Sequence, residues 1–163
     1  MRIFGIAIAL ITAAAALAQQ PAPITKTFSS AADVAALIAK AKSERKEGQP
    51  LVLERILQVP PYNANLEYRA SVGPAAIHEN EAEMFYVIEG SGTMVTGGKL
   101  ANEKRSNASN LTGTGIEGGT SREVSKGDFI MVPDNTAHWF SAINGELILM
   151  TFHVPRTVNS PQH

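Results

Sequence analysis

The 163-residue chain contains no cysteine. That removes disulfides, thiolate nucleophiles, iron–sulfur clusters and Cys-ligated zinc together, and leaves stability to burial in any compartment. Neither sign of charge dominates. Fourteen basic against 15 acidic residues give a formal net charge of -1, with no broad positive field to hold a phosphate backbone. Nucleic acid is not an expected partner. Long hydrophobic runs are missing as well: the one after Arg2 in "MRIFGIAIALITAAAALAQQPAP" is about 16 residues, short of the roughly 18 to 20 needed to span a bilayer. The chain also lacks a Gly-x-Ser-x-Gly nucleophile elbow and a glycine-rich phosphate loop leading into a helix.

What is present is an ordinary globular balance, 44% apolar and 18% charged, enough for one compact core. Arg2, the short apolar run and Ala16-Leu17-Ala18 form a secretory signal over residues 1–18, cleaved after Ala18. A periplasmic or secreted protein follows, with no stable membrane anchor after cleavage. Residues 19–49 hold a Pro-containing spacer and one helix, from about Ala31 to Lys46: Val34, Leu37, Ile38 and Ala41 recur at helical spacing, Ser30 caps the start and Gly48 marks the stop. The Lys and Arg cluster before Gly48 reads as a solvated face.

From Pro50 the pattern changes to short runs rich in β-branched and aromatic residues, bounded by Gly, Pro, Asn and Asp. Strands are expected over 51–59, 65–72, 75–78, 83–90, 91–97, 120–125, 128–133, 137–143 and 146–154. Asn144-Gly145 suits a type I′ hairpin, Lys126-Gly127-Asp128 a tight reversal, and Pro133-Asp134-Asn135 a proline-initiated turn. The polar, Gly-rich stretch 102–119 reads as a long loop. This is an all-β, antiparallel sandwich or barrel over residues 50–154, followed by a tail, 155–163.

The stretch "AAIHENEAEMFYVIEGSG", residues 75–92, carries the chemistry. On one regular strand His78 and Glu83 would face opposite ways, because side chains alternate with period two. If "ENEA" turns the chain instead, the two converge across a hairpin. Glu83, Phe85 and Val87 then share a face, as do His138, Phe140 and Ala142 on a later strand. Tyr86 and Trp139 fall on the opposite faces. His153 reads as a satisfied core histidine. Glu67 and Arg69 either face the barrel interior, where they would orient an anionic or hydroxylated ligand, or are solvated.

These residues resemble the two motifs of the cupin superfamily. In the first motif a glycine, a His-x-His pair, three or four residues, a Glu, six residues and a Gly follow one another; Glu83 and Gly90 fit, His78 matches the second histidine and Ala76 stands at the first. An alternative register, with His78 as first histidine and Asn80 as second, leaves only two residues before Glu83. "GDFIMVPDNTAHWFSA" matches the second motif at Gly127, Pro133 and His138, with Asn135 in place of its glycine and Ala142 in place of its asparagine.

The resemblance implies an antiparallel double-stranded β-helix, the cupin or jelly-roll barrel, with one N-terminal helix. It further implies His78, Glu83 and His138 around one divalent cation, a set that suits Fe, Mn, Zn, Ni or Co. Two function classes stay open. One is a metal-dependent protein, or enzyme, acting on a small oxygen-rich molecule; the other is a non-catalytic ligand-binding or structural cupin with a degenerate metal site. Exposed strands at the sheet edge are compatible with a homodimer.

Overall fold

The computed structural model describes residues 25–156; the expected signal, residues 1–18, and residues 157–163 of the tail lie outside them. Helix α1 (Ala31–Glu44) begins in a capping box: Ser30 Oγ accepts from the Asp33 amide at 3.1 Å, and Asp33 Oδ2 accepts from the Ser30 amide at 2.8 Å. The Ser30 amide first, and its hydroxyl second, hold the Asp33 carboxyl below its ordinary range. The helix stops at Glu44, short of Lys46. Arg45 turns to an extended ψ of 129° and its Nε donates to the Gln49 carbonyl at 2.9 Å, while Gly48 serves the turn beyond. Val34, Leu37, Ile38 and Ala41 bury the inner face of α1 on a sheet face made by Val52, Ile56, Ala64, Leu66, Tyr68 and Ile148. Part of the basic cluster also reaches that sheet, Lys40 to Glu54 at 2.9 Å and Lys42 to Glu146 at 2.6 Å.

The strands are β1 (Leu51–Val59), β2 (Tyr62–Arg69), β3 (Ala75–His78), β4 (Glu81–Thr96), β5 (Lys99–Ala101), β6 (Lys104–Arg105), β7 (Asn110–Gly113), β8 (Gly115–Glu117), β9 (Thr120–Ser125), β10 (Phe129–Val132) and β11 (His138–Pro155). β4 and β11 pair antiparallel along their whole lengths, from Thr96 opposite His138 to Glu81 opposite Pro155. β2 and then β1 extend from the C-terminal half of β11; β3, β7 and β6 extend from its start. β9 and β10 cover the other edge of β4. The result is the jelly-roll barrel, filled by Phe85, Val87, Met94, Val124, Val132, Phe140, Leu147 and Leu149.

Four expected strands are in fact two. Residues 83–90 and 91–97 belong to β4, and 137–143 and 146–154 to β11. Asn144-Gly145 is therefore not a hairpin turn but part of a bulge: Ile143 pairs with Gly92 and Leu147 with Gly90, leaving Ser91 opposite three residues. Gly90 faces that bulge with φ +87°, where a Cβ would collide with the Glu146 carbonyl oxygen. Lys126-Gly127-Asp128 does turn, with the Asp128 amide donating to Ser125 O at 3.0 Å, but β9 and β10 both run antiparallel to β4, so the chain resumes its direction. The expected loop 102–119 carries β6, β7 and β8, strands too short to show a period.

Leu149 is fully buried, so Leu149→Ala should cost about 2–5 kcal/mol in urea unfolding. Gly90→Ala should cost more than about 1 kcal/mol through backbone strain and the Glu146 collision. A Gly90→Ala protein as stable as the parent would refute the bulge packing.

Candidate metal centre

Three histidines converge on the Glu83 carboxylate. His78 ends β3 and Glu83 lies in the first turn of side chains on β4, with Glu79 and Asn80 turning the chain between them; β3 pairs with β7 and β11 and not with β4, so the two side chains meet across the end of the barrel and not across the expected hairpin. His78 Nε2 lies 3.2 Å from Glu83 Oε2, His138 Nε2 3.1 Å from the same oxygen, and His153 Nε2 3.3 Å from Oε1. Donor atoms of His78, Glu83 and His153 all fall within 4.8 Å of one another; His138, the expected ligand where His153 stands, is not in that group, although its Nε2 meets Glu83 Oε2. His153, expected to be a core residue, is directly opposite Glu83 on the β4–β11 ladder.

Oxygen acceptors fix the far side of two of the rings. His78 Nδ1 meets Asn110 Oδ1 at 2.9 Å and His138 Nδ1 meets the Thr136 carbonyl at 3.2 Å, whereas His153 Nδ1, 3.2 Å from Glu81 Oε2, has no hydrogen-bond partner. A carbonyl only accepts, so Nδ1 of His138 carries a proton, and a ring with that proton alone turns an Nε2 lone pair toward Glu83. The same holds for His78 against Asn110 Oδ1. A lone pair facing a carboxylate is repulsive, so these rings need either a second proton or a cation between them and Glu83.

The charges sharpen that requirement. Burial, the largest single influence on Glu83, would raise its pKa; hydrogen bonds from His138 and His78 and the charges of His138 and His153 reverse this and hold it well below the usual carboxylate range. For His78, burial lowers the pKa, but hydrogen bonds to Glu83 and Asn110 and the charges of Glu83 and Glu81 outweigh it and leave the value raised. A buried anion thus persists at the barrel end, ringed by imidazoles. Donors about 2.0–2.2 Å from one divalent ion stand roughly 2.9–3.5 Å apart in octahedral or tetrahedral geometry. The Glu83–imidazole separations of 3.1–3.3 Å lie in that range, while the spread of the His78, Glu83 and His153 donors, up to 4.8 Å, exceeds it.

Above the cluster a cavity of about 320 Å³ opens, lined by Arg55, Pro61, Asn63, Asn65, His78, Glu81, Asn110 and His153. Glu67 and Arg69 do face inward but lie deeper on β2, committed to each other with Arg69 Nη2 2.6 Å from Glu67 Oε2 and the guanidinium stacked 4.8 Å from the Phe140 ring centre. They do not line the cavity. Tyr86 lies outside the barrel, its ring 4.6 Å from that of Phe129, and Trp139 donates Nε1–H to the Gly73 carbonyl at 2.8 Å. Asn110 and Glu81 line the cavity although sequence reasoning assigned neither to the site; Asn110 stands out in the sequence only as the first residue of an Asn-Leu-Thr sequon within a polar stretch.

The sequence pattern of the cupin family matches residues 54–162, more than half of the chain. The chain belongs to the cupin family. Among solved structures, a protein of Bacillus halodurans, BH2720, superposes with a TM-score of 0.53 at 17% identity, over 86% of this cupin and 89% of that chain. Iron(II) HppE superposes with a TM-score of 0.50 at 14% identity, over 68% of this cupin and 54% of that chain, so the cupin spans about half the length of HppE. No curated protein matches the sequence. Set against the motifs, Asn135 replaces a glycine because its φ of +53° is the left-handed conformation that asparagine tolerates best after glycine. Ala76 pairs with His138 across the β3–β11 bridge and offers only a methyl group where the motif has its first imidazole.

Removing Arg69 alone leaves the Glu67 carboxylate buried and unpaired, so Arg69→Ala should cost about 3–5 kcal/mol, whereas the Glu67→Leu, Arg69→Met double variant should lie near the parent. Urea unfolding of the two proteins checks this, and equal losses would refute it.

Proposed function

We propose that this cupin binds one divalent cation through His78, Glu83 and His138, with His153 as a further imidazole, and that the cation and the mouth above it take a small oxygen-rich molecule. The observation that carries the reading is the buried Glu83 anion facing Nε2 of three imidazoles, two of which have their Nδ1 protons engaged by oxygen acceptors. Imidazole with carboxylate suits iron, manganese, zinc, nickel or cobalt, and iron(II) is the ion named for HppE. A cation held there supplies Lewis acidity to an oxygen of the guest. Glu83 offsets the ion's charge, Asn110 and the Thr136 carbonyl keep His78 and His138 aimed, and the open mouth admits the guest. Turnover is a further step that binding does not require. The rival reading, a ligand-binding or structural cupin with a degenerate centre, draws on Ala76; the imidazole of His153 weighs against it.

Metal analysis after loading and dialysis tests the proposal. The parent should retain close to one equivalent, while His78→Ala, Glu83→Ala and His138→Ala should each fall below about a tenth of an equivalent, and Asn110→Ala should weaken affinity about 10- to 100-fold. Thermal unfolding guards against misfolded variants. A parent that keeps no divalent metal sinks the reading.

Export and dimerisation belong to the same proposal. Residues 1–18 carry the features of a cleaved signal, and intact mass of the native protein should begin at Gln19. A mass that retains Met1 would overturn export. For the dimer, β10, β4 and β11 align two apolar rows outside the barrel, Phe129–Tyr86–Met150 and Met131–Met84–Phe152. Phe129 is 71% and Met131 57% exposed. Beside them, α1 and the sheet enclose a groove of about 570 Å³ lined by Phe28, Val34, Ile38, Tyr86, Ile88 and Met150. A protruding ring beside an apolar groove is the self-complementary pattern a two-fold interface uses, so the occupant is a second copy of this chain. Light scattering should report a dimer and Phe129→Glu a monomer; a monomeric parent at high concentration refutes it.

A further inference from the structure

The mouth holds polar groups that the fold does not use. Arg45, Arg69, Arg105 and Arg156 each engage an oxygen of the protein. Two arginines do not, the exposed Arg122 on β9 and Arg55, also exposed: among the described residues the Arg55 guanidinium has no ion pair or hydrogen bond, and the side-chain amides of Asn63 and Asn65 have none either, although these three line the cavity above the histidines. Asn63 and Asn65 are half-buried, and their amides, open to the cavity, keep donors and acceptors free for a guest. Below them, opposite Asn65 on the β2–β11 ladder, Thr151 is fully buried and its hydroxyl has no partner.

The β1–β2 register aims Arg55. β1 runs in phase with β2, Leu53 opposite Glu67 and Arg55 opposite Asn65, until the register slips between Arg55 and Leu57. Beyond the slip Ile56 and Leu57 both line the groove under α1, and the Ile56 carbonyl accepts from Ser29 Oγ at 3.1 Å. Arg55, before the slip, keeps the face of Asn65 and so stands at the barrel mouth.

We propose that Arg55, with the amides of Asn63 and Asn65, anchors the carboxylate of a small hydroxy or oxo acid whose other oxygens reach the cation. This rests on the metal reading above. The planar guanidinium fork matches a carboxylate bidentately, and amides complete its coordination. With a divalent cation between Glu83 and the imidazoles, the ion and Arg55 together outweigh the carboxylates of Glu81 and Glu83, so the mouth attracts an anion over a neutral polyol. A cavity of about 320 Å³ sits at the lower end of ligand pockets, which restricts the guest to a small acid.

The test uses calorimetric titration of cobalt(II)-loaded protein, with the visible cobalt spectrum as a second readout. The probes are L-lactate, L-malate and 2-oxoglutarate, set against 1,2-propanediol and inorganic phosphate. At least one acid should bind at least about tenfold more tightly than the diol and phosphate, and Arg55→Ala should weaken that acid about 10- to 100-fold while keeping its cobalt, with Arg55→Lys between the two. Binding that is indifferent to Arg55→Ala, a diol or phosphate that matches the acids, or no acid binding at all overturns the proposal. Cobalt that fails to load identifies failure of the metal reading separately; the same acids titrated into metal-free parent and Arg55→Ala then decide whether Arg55 anchors a carboxylate without it.

Discussion

The barrel and its centre both depend on the antiparallel register of β4 against β11. Glu83 meets His153 directly across that ladder, at the C-terminal end of β11, while His138 begins the same strand. Drawn straight, strand rise alone would hold those two histidines about 50 Å apart. Both nevertheless sit against Glu83. The strand must wrap around the barrel, and its bulges between Phe140 and Leu147 are where it bends and changes which parity of residue faces inward. His138 and Phe140 point inward on even numbers, Leu147, Leu149 and His153 on odd ones. Curvature, more than proximity in sequence, assembles the cluster.

Much of this was legible before any coordinates. Helix α1 showed itself through spacing and its Ser30 cap, β1, β3 and β9 through unbroken strand-forming runs between turn residues, and His78, Glu83 and His138 through motif spacing. His153 was not, because the parity change that turns it inward follows from a bulge, and Asn144-Gly145 carries an equally good hairpin signal. Asn110 was hidden for another reason. Its strand, β7, is only four residues long inside a Gly-rich stretch, and it exists as a strand because β3 pairs with it, His78 opposite Asn110. A short strand fixed by tertiary pairing leaves no period in the sequence.

The interior also separates polar groups that hold the fold from polar groups left available. On β2, Ala64, Leu66 and Tyr68 turn to the helix and join an apolar layer, so alternation sends Asn63, Asn65, Glu67 and Arg69 to the barrel side. Four polar residues in a row on an inner wall would be a poor core. The deeper two neutralise each other within one strand, at positions i and i+2 on the same face, and close the wall beneath Phe140. The outer two have no such partner, and neither does Arg55 opposite them. Asn63 and Asn65, half-buried, and Arg55, exposed, instead stay open at the end nearest Glu83, where the cavity above the histidines reaches them. The wall of β2 thus has a direction, an ion pair at depth and open amides toward the mouth, with the imidazole cluster at its open end.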